Sequence, residues 1–102
     1  MTHLVVGPTA VEDLQEIRDQ FDGVQAELSR RFAEALDVLF ARLEEFPRSA
    51  ALVAGYSAVR RAVVRGFPYV VPYRYAPDRI DVLRVLHAAR SDADRLGEQR
   101  LR

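Results

Sequence analysis

Residues 57–88, "SAVRRAVVRGFPYVVPYRYAPDRIDVLRVLHA", concentrate β-branched and aromatic residues in three runs, 57–64, 69–75 and 78–88, with only "RGFP" and "APD" between them. Such residues suit a pleated, half-buried surface, and links this short join antiparallel neighbours. The stretch therefore predicts a three-stranded meander. Pro77 suits the second position of a tight turn and Asp78 the third, while Gly66 supplies the positive φ angle that the first turn calls for. Pro72 is the discordant residue, because it removes a ladder donor from the central strand; it predicts a bulge or a locally unpaired edge.

Upstream the periodicity changes. "LVV" at 4–6 is a short apolar run closed by Gly7 and Pro8, and it reads as a first strand. Thr9 and Glu12 stand in a capping-box pattern. Ala10, Leu14, Ile17 and Phe21 then recur at helical spacing up to Gly23, a residue suited to a left-handed helix end, which gives a helix of about three turns. Leu28, Phe32, Leu36, Leu39, Leu43 and Phe46 mark a longer helix from Val24 to Phe46, stopped by Pro47. Residues 48–56, "RSAALVAGY", show neither period nor strong breakers and read as a connecting loop with at most one helical turn. Three strands cannot bury their apolar side alone, but the Leu and Phe stripe of an antiparallel helical hairpin covers it. The expected fold is α+β in the order βααβββ, the hairpin packed on a small antiparallel sheet. "SDADRLGEQRLR" at 91–102 offers Ser91 and Asp94 as a second capping-box pattern and Gly97 as a breaker. It reads as a frayed tail on a single domain spanning 1–102.

The chain has 102 residues, enough for one modest core. It has no cysteine, which removes disulfides and thiolate metal sites, and two isolated histidines, His3 and His87, do not make a zinc site; no cofactor is expected. "MTHLVVGPTA" has neither the cationic segment of a secretion signal nor the apolar length of a membrane span, so a cytoplasmic location is expected. The formal net charge is +0 but uneven: residues 1–50 hold five arginines against ten acids, and residues 51–102 hold ten against five. Every basic residue is arginine. A GC-rich codon bias would account for that. Physically, guanidinium groups pair bidentately with carboxylates and phosphates and stack on aromatic rings, which suits the basic half to a protein or phosphate partner. Glu27, Glu34, Asp37, Glu44 and Glu45 give the hairpin an acidic outer face of the kind solvated helices show, with no carboxylate pair that demands catalysis.

The element order and the string "VRRAVVRGFPYVVPYRYAPDRIDVLRVLHAAR", residues 59–90, resemble the RelE/ParE family of toxins from bacterial type II toxin–antitoxin pairs. "GPTAVEDLQEI" is similar to that family's opening, a strand ending in a small residue and proline, then an alanine, an Asp-Leu pair and an apolar residue three on. The most specific pieces are Arg60–Arg61, "FPY" at 67–69, "PYR" at 72–74 and "RVLHAAR" at 84–90, where His87 and Arg90 stand three apart. The resemblance implies one of two activities. RelE-type toxins are ribosome-dependent mRNA endoribonucleases that use clustered basic, tyrosine or histidine side chains; ParE-type toxins share the scaffold without that cluster and inhibit DNA gyrase by binding. This sequence has no lysine and lacks the terminal histidine–tyrosine ending of some ribonuclease members, and "PYR" and "RVLHAAR" look more like the ParE branch. The resemblance also implies a separately encoded antitoxin that folds around the toxin.

A ribonuclease here would draw on Arg61, Arg84, His87 and Arg90, with His87 moving the proton and the arginines holding phosphate. Strand alternation speaks against this set: Ile80, Val82, Arg84 and Leu86 share one face of the last strand, and His87 falls on the other with Leu83 and Val85. The binding reading draws on Arg60, Arg61, Tyr73, Arg74, Tyr75, Arg84 and Arg90, because tyrosine and arginine are enriched among interface hot spots. Tyr69, Val71, Tyr73 and Tyr75 form one row on the central strand, which is equally what cross-strand packing requires.

Overall fold

The computed structural model describes residues 2–90; the frayed tail expected at 91–102 lies outside the described residues. β1 (His3–Val6) passes through Gly7 into α1 (Pro8–Val24). Pro8 fills the first turn, where a missing N–H costs little, and Gly7 is the N-cap. Thr9 therefore already lies inside the helix, and no side chain caps it: the Thr9–Glu12 capping box does not form. Gly7 is dictated by close approach, since its N–H donates to the Val82 carbonyl at 3.0 Å and a Cβ would stand 3.0 Å from the same oxygen. α1 continues through Gly23 to Val24, 17 residues in all, and Gln25 ends it in extended conformation with its N–H returned to Phe21. It is longer than the sequence pattern suggested, because Gly23 stays helical.

α2 (Ala26–Glu45) buries Phe32, Leu36, Leu39 and Leu43, the expected stripe, and ends before Pro47 with Phe46 at the cap. Ala51–Leu52 form β2, which pairs with the edge of β3 (Val59–Val63), so part of the expected loop is strand; two residues carry too little pattern to announce themselves. β3, β4 (Tyr69–Ala76) and β5 (Arg79–Val82) form the predicted antiparallel meander, with Gly66 at φ +84 in the first turn. The full order is β1-β5-β4-β3-β2. β1 runs parallel to β5, Leu4 beside Ile80 and Val6 beside Val82, so the sheet is mixed and not purely antiparallel. The helical hairpin is the crossover that returns the chain from β1 to the far side of the sheet, which is what a parallel pairing needs. The α+β class and the helical hairpin on the sheet stand as expected.

The third predicted strand is broken in two. β5 pairs with β4 through Tyr73 and Val82, but the short β6 (Leu86–His87) pairs with β4 through Val70 and Leu86. Leu83 N–H still donates to the Pro72 carbonyl at 2.9 Å. Between those two points β4 contributes Val71 alone while the facing strand contributes Arg84 and Val85, which is a β-bulge. The carbonyl of Pro72 faces this strand, so its absent N–H also points to the interruption. The proline and the bulge are one feature. An extra residue reverses the side on which every following side chain falls. Arg84 and His87 therefore share the helical face, against the alternation argument, while Leu86 shares a face with Val70.

"FPY" at 67–69 now has a packing role. The ring centroid of Phe67 lies 5.1 Å from that of Phe32 and 5.8 Å from that of Phe21, and Tyr69 meets Phe32 at 5.3 Å, joining the start of β4 to both helices by edge-on and tilted contacts.

Candidate partner-binding site

The candidate residues separate into three places. The first is the bulge under α1. Arg84 donates from Nε to Asp13 Oδ2 at 2.7 Å and from Nη2 to Oδ1 at 3.0 Å, and the Val85 N–H donates to the same carboxylate at 3.0 Å. With 7% of its surface exposed, Arg84 is a core residue, and its placement on a phosphate- or partner-binding surface is corrected. Beside it a cleft of about 320 Å³ is bordered by Glu16, Gln20, Tyr69 and His87. The exposed His87 ring lies edge-on to Tyr69, centroids 5.4 Å apart, and its Nδ1 accepts the Ala89 N–H at 3.1 Å. In the neutral ring this leaves Nε2 as the proton-bearing nitrogen. The pairing of Asp13 with Arg84 went unforeseen in sequence, although Asp13 lies on the apolar stripe of Ala10, Leu14 and Ile17, where a carboxylate needs a buried partner.

The second place is the end of the sheet where β4 turns into β5. Tyr73 pairs in register with Arg60 and is fully buried, so it is not a contact residue for a partner; its hydroxyl donates to the Pro47 carbonyl at 2.8 Å. Burial raises its phenol above the ordinary value, and the Ala50 backbone and the Arg60 charge pull the other way without cancelling it. Arg60 donates from Nη1 to the Ala50 carbonyl at 2.7 Å and to the Arg48 carbonyl at 3.3 Å. Tyr73 and Arg60 together clamp the 47–50 loop onto the sheet. Tyr75 is half-buried, and the guanidinium of Arg48, a residue the sequence reading did not single out, lies 5.6 Å over its ring.

The third place is the sheet face away from the helices. Arg61 pairs in register with Pro72 and Arg74 with Val59, both on this face, and Arg74 donates from Nε to the Ser57 carbonyl at 3.3 Å. Arg90 ends the single turn Ala88–Arg90, and its side chain lies outside the described residues. Of the binding set, the structure brings Arg60 and Tyr75 together, places Arg61 and Arg74 behind them, and buries Tyr73 and Arg84. Of the ribonuclease set, Arg61 and His87 stand on opposite faces. Among the described residues no three His, Cys, Asp or Glu side chains gather as a metal site, and no helix is long and apolar enough to cross a membrane.

A family model described as the ParE toxin of the type II toxin–antitoxin system parDE matches residues 4–92. Among solved structures, a chain from the chromosomal ParDE toxin–antitoxin system of P. aeruginosa superposes with a TM-score of 0.72 at 20% sequence identity, covering 85% of this chain and 96% of that one. A comparison with curated proteins gives no match. The structural likeness speaks for the fold and the sequence match for the family.

Proposed function

We propose, from the premise that this chain belongs to the ParE toxin family of type II toxin–antitoxin systems, that it arrests growth by binding DNA gyrase in the cytoplasm and is silenced by a cognate antitoxin. The family match falls on the ParE branch and not on the RelE alternative. The observation that carries the binding reading is the state of Arg84. A ribonuclease would need Arg61, Arg84 and His87 around one phosphate, but Arg84 is enclosed against Asp13, and Arg61 lies on the face opposite His87. Binding requires no such convergence.

For the antitoxin we propose an acidic, amphipathic segment that folds on the groove between α2 and the edge of β3. This groove, about 630 Å³, has Arg42, Arg61 and Arg65 at its rim. It also presents the exposed Val38 and Val63. Apolar anchors would fill it and the rim arginines would steer the approach.

The deciding experiment expresses the chain without its antitoxin and adds the purified protein to gyrase in a supercoiling assay. Filamentation with DNA damage and loss of supercoiling are expected, and His87→Ala should retain both. Rapid cleavage of messages on ribosomes, abolished in a folded and antitoxin-competent His87→Ala protein, would replace this reading with the enzymatic one.

A further inference from the structure

Around the end of α2 from the antitoxin groove, two open hollows meet at the clamped 47–50 loop. One, about 630 Å³, lies between the last turn of α2 and Tyr75, bordered by Arg42, Phe46 and Arg48. The other, about 450 Å³, lies between Leu52, Arg60 and the turn at Pro77. Arg48 and Tyr75 border both, and their stacked pair forms the ridge between them.

Two properties of this surface are left unbalanced by the fold. Phe46 is 57% exposed and Leu52 62% exposed, an apolar cost on a surface of this size. Arg42, Arg48 and Arg60 form no ion pair: the four pairs among the described residues join Arg30 to Glu27 and Glu34, Arg79 to Asp81, and Arg84 to Asp13. Arg60 is held by neutral carbonyls, so its charge is positioned but not neutralised. The frame is also rigid, because Tyr73 and Arg60 fix the loop from below, and a preorganised surface loses less entropy on binding.

We propose that this end of the sheet docks a short acidic segment of a partner protein, with a bulky apolar residue seated beside Phe46 and carboxylates paired to Arg48 and Arg60. Arginine around an apolar hollow is the arrangement of interface hot spots. A nucleic acid fits less well. Its phosphates would leave Phe46 and Leu52 uncovered, and Arg48 already covers the ring that a base would stack on. A second copy meeting this one through the same patch would set arginine against arginine. The surface goes beyond the toxin reading and does not depend on gyrase being the target.

The test is selection of peptides from a displayed random library on the full chain, followed by binding measurements with the synthetic winners. Enriched sequences should combine Asp or Glu with Trp, Phe or Leu. Their affinity should fall about tenfold or more for Arg48→Glu and for Phe46→Ser, a loss typical of hot-spot truncation, with both variants melting as the parent does. Arg48→Ala and Phe46→Ala are the milder variants should either of those melt early, and a loss in the same direction is expected from them. Winners without acids, or winners indifferent to these changes but abolished by Val38→Glu in the antitoxin groove, would overturn the proposal. So would a library that yields no binder, a DNA duplex that binds with the same sensitivity to Arg48→Glu, or a dimer in sedimentation that Arg48→Glu dissociates.

Discussion

Asp13 and Arg84, 71 positions apart, form a two-pronged pair at 2.7 and 3.0 Å that also takes in the Val85 N–H, so one carboxylate fastens α1 to both residues of the β-bulge. The side chains are 16% and 8% exposed, which makes this the one ion pair among the described residues that is withdrawn from water on both sides. A bulge leaves backbone groups without ladder partners, and a carboxylate with several acceptor positions is a compact way to satisfy one.

Removing either partner should therefore cost far more than a surface pair would. Asp13→Ala strands a buried guanidinium and should destabilise the chain by about 3–5 kcal/mol, as broken buried pairs do. Arg84→Lys should not rescue, because an ammonium cannot reproduce the two-pronged geometry. The double change Asp13→Leu with Arg84→Met removes both charges together and should recover part of the loss in urea titrations, the Val85 N–H left without its acceptor keeping the rest. A cost below about 1 kcal/mol for Asp13→Ala, the range of exposed pairs, would mean that water reaches the pair more freely than its burial implies.

The helix stripe gives a second expectation. Leu36 and Leu39 are buried under the sheet at 6% and 9% exposure, whereas Val38, one residue from Leu39, is 71% exposed. Leu36→Ala and Leu39→Ala should each cost about 2–5 kcal/mol, as large-to-small core changes do. Against a total of about 5–15 kcal/mol that is a sizeable fraction. Val38→Ala should stay within about 0.5 kcal/mol, as surface changes do. Thermal melts that rank Val38 with the two leucines would displace the stripe.

The alkaline limb of stability should depend on Tyr73. Burial raises its phenol above the ordinary tyrosine value of 10.0, so the folded chain holds this proton more tightly than the unfolded chain does. As pH rises through about 10 the unfolded chain releases the proton first. The contribution is thus complete below that pH and is lost as pH climbs toward the folded value. Absorbance titration should show phenol ionisation in the folded protein lagging behind that of the unfolded chain through Tyr73. Tyr73→Phe should abolish the lag and lose about 0.5–1.5 kcal/mol at neutral pH through its hydrogen bond to Pro47. If Tyr73→Phe leaves the alkaline limb of that titration unchanged, the burial argument is wrong.

Legibility followed the length of the pattern. The Phe32–Leu43 stripe repeats over four buried positions and was readable, as were the meander and the turn at Gly66, where local chemistry and global fold agree. β2 is two residues long and the parallel pairing of β1 depends on where the chain returns, so neither leaves a local signature. Pro72 announced a bulge but not which strand would carry the extra residue. That single choice decided the face of His87 relative to Arg84, so the site argument built on alternation beyond Arg84 inherited the error. Tyr73 failed differently: a tyrosine whose ring is needed by the core and whose hydroxyl meets a carbonyl has the same sequence appearance as one awaiting a partner.

The antitoxin reading is open to a kinetic test, and the structure determines which arginines to change. Arg60 clamps the 47–50 loop, so its reversal would confound binding with a local rearrangement. Arg61 and Arg65 are exposed at the rim of the groove between α2 and β3. Rim charges act mainly on the encounter, while buried anchors govern dissociation. Arg61→Glu with Arg65→Glu should therefore slow association with the cognate antitoxin and flatten its dependence on salt, leaving the off-rate nearly unchanged. Val38→Ser, an anchor-site change, should do the reverse and speed dissociation. The two variants separate steering from seating. If the arginine pair keeps the parental on-rate and salt slope while the antitoxin still binds, the toxin assignment stands and the basic rim does not face the antitoxin. If the cognate antitoxin fails to bind the parent chain, the toxin–antitoxin pairing itself is lost.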